Sequence, residues 1–92
     1  MTEQEILKTA ATKASNILHI PLGDIDPAQL LRMYSLLYVM LGLPDDQERG
    51  DEQMIWWLNT HNNHLNFCPA TRLHDTQSME KIIGYLECMC YR

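Results

Sequence analysis

Positive charge is scarce in this chain. Seven lysines and arginines stand against twelve aspartates and glutamates, for a formal net charge of -5 and a pI near 5.1. Binding to nucleic acid through its phosphates requires clustered Lys and Arg that release condensed counterions. The basic residues here are scattered, so no specific DNA binding is expected. An acidic balance suits a basic protein partner or plain solubility, of which solubility is the commoner meaning. Long apolar runs are also missing: the densest covers residues 36–43, well short of the ~18 residues that a membrane span needs. Thr2, Glu3 and Gln4 occupy the positions where a secretory leader would carry a basic region and an apolar core. The expected setting is therefore the cytoplasm, with no membrane association. Cysteine is limited to Cys68, Cys88 and Cys90, an odd set read as free thiols. A redox role for Cys88 and Cys90 is disfavoured, because a helix turns two such side chains ~200° apart.

What the chain does have is apolar side chains, at 46% of its 92 residues, which excludes wholesale disorder. A chain of this length buries only ~60 to 65% of the surface its unfolded form exposes, so its core is dense or is completed by a partner. No repeat, low-complexity tract or long linker divides it. Residues 1–92 are expected to form one domain.

The periodicity is helical throughout, and no strand is expected. Thr2-Glu3-Gln4-Glu5 fits a capping box, with Met1 and Ile6 placed as a hydrophobic staple. Ile6, Leu7, Ala10, Ala14, Ile17 and Leu18 follow at helical spacing as an expected core face, until Ile20-Pro21 ends the run. Asp26 before Pro27 is a second start, because Asp caps and Pro suits the first helical position. From there to about Leu41, apolar residues wrap most of the circumference, which predicts a buried central helix, ended by Gly42 and Pro44. Residues 44–52 carry the densest acidic cluster and read as a surface loop. Met54, Ile55, Trp57 and Leu58 mark a third helix, with Asn62-Asn63 as terminators. Pro69 opens a short fourth helix through Leu73. Asp75, Thr76 and Ser78 are alternative caps for a fifth, whose stripe is Met79, Ile82, Ile83, Leu86, Met89 and Cys90. The expectation is an all-α compact bundle of about five helices.

Three constellations have both a functional and a bland meaning. His61, His64, Cys68 and His74 carry zinc-compatible residue types, but no second tight pair in knuckle spacing accompanies them, and no metal is assigned. His64 and His74 are weak candidates for a general base, since no nucleophile and acid arrangement is implied locally. No enzymatic activity and no cofactor are expected. Trp56 and Trp57 diverge by ~100° on a helix, so one faces the core and the other the domain edge. Trp56 at that edge is either a protein-contact anchor or a half-buried lid on a small core. The methionines at helical spacing are core filler first.

Trp57-Leu58, Asn62, Leu65 and Pro69, followed by Tyr85-Leu86 and the acidic Glu87, resemble the C-terminal toxin-binding domain of Xre/MbcA/ParS-type antitoxins, with its W-L-x-x-x-N-x-x-L-x-x-x-P run and terminal Y-L-D/E. Residues 30–37, Leu-Leu-Arg-Met-Tyr-Ser-Leu-Leu, look like that family's L-L-R-L-F-R-S-L helix, so the resemblance covers about two-thirds of the chain. It departs in three places. Only one helix and a short link precede residue 30, where the family carries an operator-binding helix-turn-helix, so that unit is expected to be missing. Ser78 stands where Gly is common, and Cys90 where Arg is common. In the family the domain docks on a toxin that consumes or transfers from NAD and obstructs its cleft. The resemblance therefore implies a steric inhibitor, with Glu87, Met89, Tyr91 and Arg92 as contact residues and Asn62 and Leu65 shaping the supporting turn. Trp57 is implied as the core tryptophan, and Trp56 becomes an additional contact candidate. The implied partner is a toxin or defence enzyme with a basic cleft. Two other roles stay open: a phage or mobile-element inhibitor of a host defence nucleoprotein, and a structural module that forms a homo-oligomer through Trp56 and the last-helix stripe.

Overall fold

The computed structural model describes residues 2–91. It contains four α-helices, α1 (Glu3–Leu18), α2 (Pro27–Leu41), α3 (Gln47–Leu58) and α4 (Thr76–Cys90), with a 3-10 turn at Pro69–Thr71 before α4. The expected fourth helix is thus only that turn, and about five helices become four. No β-strand occurs among the described residues, apart from an isolated bridge between Asn62 and Phe67. The body measures 40 × 34 × 25 Å.

Each helix starts on a local oxygen. Thr2 Oγ1 accepts from the Glu5 N–H at 3.2 Å, Asp26 Oδ1 from Ala28 at 3.3 Å, and Asp46 Oδ1 from Arg49 at 3.2 Å. Asp75 is selected among the three candidate caps of α4: its Oδ2 accepts from both the N–H and the hydroxyl of Ser78, at 3.1 and 2.6 Å. Ser78 lies inside the first turn of that helix with no left-handed backbone, so nothing there demands the glycine that the resemblance would place. The end of α1 is a Schellman motif. His19 adopts φ 57°, its N–H meets Asn16 O, and the Ile20 N–H meets Ser15 O at 2.9 Å.

Helix α2 touches α1, α3 and α4 and is the axis of the packing. Leu30, Met33, Leu36 and Leu37 are buried on it, and they meet Leu18 of α1, Met54 and Leu58 of α3, and Met79, Ile82 and Leu86 of α4 in one core. Each such side chain contributes about 1.5 to 3 kcal/mol by leaving water. The burial of α2 is incomplete: Tyr38 and Val39, on its last turns, are exposed.

The polar stretch expected as a loop mostly belongs to α3, which starts at Gln47. Its second turn fits because Gly50 has no side chain: a Cβ there would lie 2.6 Å from the Leu43 backbone nitrogen. The helix also stops earlier than expected. Asn59 is its C-cap, and the Asn59 and Thr60 side chains donate back to the carbonyls of Ile55 and Trp56, so Asn62-Asn63 lies beyond the end. Helix α1 is corrected too. Its buried residues are Ala11, Ala14, Ser15 and Leu18, while Ile6 and Leu7 are exposed because its first turns extend past the core. Met1, the other half of the expected staple, lies outside the described residues.

Candidate partner-binding surface

The resemblance implies contact residues in the last turn of α4, and α2 supplies their support. Arg32 projects from α2 and donates through Nη2 to the Tyr91 hydroxyl at 3.2 Å. The same nitrogen lies 3.5 Å from Glu87 Oε2, and the guanidinium carbon is 5.8 Å from the centroid of the Tyr91 ring. The Tyr91 hydroxyl, and secondarily Glu87, hold Arg32 still further toward its protonated form. Both members of the ion pair are about half exposed, so the pair orients the group more than it stabilises the fold. One residue earlier, the Cys90 thiol donates to the Leu36 carbonyl at 3.4 Å and fastens the same turn to α2 from inside. Tyr91 remains 68% exposed and Met89 39%. An aromatic ring and a charged pair thus share one surface, while Met89 leaves the helix ~200° around from Glu87. Arg92 lies outside the described residues.

The other motif residues divide between core and turn. Leu58, Pro69 and Leu86 are buried. Asn62 Oδ1 accepts from the N–H groups of His64 and Leu65, at 2.9 and 3.0 Å, and its carbonyl accepts from Asn66 at 2.7 Å. Asn66 takes the left-handed conformation, φ 67°, that lets the chain reverse. Leu65 packs, half-buried, on the core.

Trp57 is only partly buried, a correction to its expected place inside the core. The inward positions of α3 are Met54 and Leu58, one helical turn apart, which leaves Trp57 on the flank. There it stacks on Tyr85 at 6.3 Å with the planes 14° apart, and Tyr85 carries His64 at 5.5 Å. Trp56 is 67% exposed.

No three of the His, Cys, Asp and Glu side chains among the described residues gather as a metal site. Cys68 donates its thiol to the Leu58 carbonyl at 3.3 Å, and the His74 ring stands over Gly23. His61 is exposed. Cys88 is an exposed free thiol. No described helix is long and apolar enough to cross a membrane.

Two features escaped the sequence. Glu48, Asp51 and Glu52 of α3 line a groove with Asn16, Ile17, His19 and Ile55. Asp51 Oδ1 is buried there without a hydrogen-bond partner among the described residues. Burial, and after it the Asp51 carboxylate, push the Tyr34 phenol up. The Arg32 to Tyr91 link is the second, since no local pattern joins positions 59 apart. Comparison brings no relative to this arrangement: no family model matches the chain, and neither a curated protein nor a solved structure does.

Proposed function

We propose that this protein is a non-catalytic inhibitor that docks on a protein partner and obstructs it through the last turn of α4. The observation that carries the reading is the anchoring of an exposed aromatic ring: Tyr91 stands out to solvent while Arg32 holds its hydroxyl and Cys90 fastens the preceding turn. A ring ordered before contact loses little conformational freedom on binding, and Tyr and Arg are the residues that most often dominate interface energies. The family resemblance supplies the partner class, an NAD-consuming toxin with a basic cleft, toward which an acidic protein associates quickly. Glu87, Met89, Tyr91 and Arg92 make the contact in this reading, Trp56 extends it, and Asn62 and Leu65 shape the turn behind it. Affinity capture from the source cell, followed by titration of the purified partner against the wild-type chain and Tyr91→Ala, tests it.

A second reading is favoured by the acidic groove on α3. Glu48, Asp51 and Glu52 present negative charge on a face made by α1 and α3, which suits a basic nucleic-acid-binding surface on a host defence complex. Capture of a nucleoprotein whose binding depends on Glu48 and Glu52, and not on Tyr91, selects it.

A further inference from the structure

We propose that the N-terminal half of α1 is a self-association surface, on which the same half-helix of a second copy packs antiparallel. The proposal is independent of the inhibitor reading and uses none of its residues. Every described residue before Ala10 is exposed, although α1 is already helical from Glu3. Ile6 is 53% exposed there. Helix spacing aligns Glu3, Ile6, Ala10 and Lys13 in one seam, with successive intervals of three, four and three residues, the a and d pattern of paired helices. The next residue in the series, Ile17, is half-buried and shares a groove with Ile55 of α3, so the seam closes where the body begins.

The charge pattern fixes both occupant and direction. Turn a second α1 antiparallel about a two-fold axis at the level of Lys8, and Glu3 lies opposite Lys13 of the other copy at both ends. Between those layers each Ile6 meets the small Ala10 of the other helix, so the large side chain has room. A parallel pair would put Glu3 against Glu3 and Lys13 against Lys13, with the helix dipoles aligned unfavourably. The antiparallel contact is isologous and closes at two copies. Leu7 covers the flank, where it shares a groove with Pro27 and Ala28 at the start of α2. A helix pair over residues 3–13 extends only ~16 Å, and it buries less than the ~1,200 Å² of a standard interface, so the dimer is weak and concentration-dependent.

Sedimentation equilibrium on the full chain from about 10 µM to about 1 mM reads the dissociation constant directly. The wild type dimerises reversibly within that range. Ile6→Asp and Glu3→Lys each weaken the dimer at least about tenfold, with circular dichroism unchanged because both positions are exposed. The charge reversal Glu3→Lys with Lys13→Glu restores association. A wild type that stays monomeric throughout overturns the proposal. So does a dimer indifferent to Ile6→Asp, which would place the contact on another face such as Trp56, or a failure of the double reversal to restore it.

Discussion

Arg32 on α2 reaches Tyr91 across 59 positions of sequence and donates to its hydroxyl at 3.2 Å. The contact joins the last described turn to the central helix while leaving the tyrosine ring in solvent. Because the group is exposed, Arg32→Ala leaves the melting temperature nearly unchanged and instead raises the mobility of Tyr91. Backbone and side-chain NMR order parameters for residues 87–91 check this: they fall in the variant while the rest of α4 holds. Equal order in both proteins would mean that the Cys90 thiol alone fixes the turn.

The two tryptophans have different energetic roles. Trp57→Ala costs about 2 kcal/mol, below the ~3 to 5 of a fully buried tryptophan, since the ring is half-buried and its main partner is Tyr85. Trp56→Ala stays within about 0.5 kcal/mol, as surface substitutions do. Urea unfolding of both variants decides it, and equal losses would contradict the side-chain assignment on α3.

Glycines 50 and 84 respond oppositely to alanine. A Cβ at Gly84, in the exposed middle of α4, meets nothing within 4 Å, so Gly84→Ala stabilises by about 1 kcal/mol through helix propensity. At Gly50 a Cβ runs into the Leu43 backbone, and Gly50→Ala destabilises by about 1 to 3 kcal/mol as α3 shifts away from α2. Thermal unfolding of the pair reads the two signs.

Acid weakens the cap of α4. The Ser78 hydroxyl and N–H hold the Asp75 carboxyl below its ordinary value. The unfolded chain therefore takes up that proton more readily than the folded one. The stabilisation is complete above the ordinary carboxylate value of ~3.9 and is lost as pH falls through the lower folded value. Melting curves from neutral pH into acid show it as a difference between wild type and Asp75→Asn that shrinks below about pH 4. A constant difference would mean the carboxylate charge contributes nothing.

Helix starts were legible in the sequence because capping is local chemistry. Asp26-Pro27 marked α2, and the Asp75 region marked α4, without any knowledge of the fold. The start of α3 was not, because Gln47 to Asp51 carries no apolar face, and Gly50 is explained only by the distant Leu43 backbone. The tryptophan pair shows the same limit: spacing separates Trp56 from Trp57, but how deeply the inner ring sits depends on where α4 places Tyr85. Ile6 and Leu7 match a core periodicity that the rest of the chain is too small to cover. For the candidate surface, the family resemblance implied Glu87, Met89 and Tyr91, while the contact of Arg32 with Glu87 and Tyr91 needed the packing of α2 on α4.

The inhibitor reading is tested most directly by isothermal titration of the captured partner with wild-type chain and with Tyr91→Ala, after both show the same melting temperature. Loss of the anchored ring weakens binding by about 2 kcal/mol, roughly thirtyfold in Kd. A Kd unchanged by Tyr91→Ala would contradict the reading and move the contact to Trp56 or the acidic groove on α3.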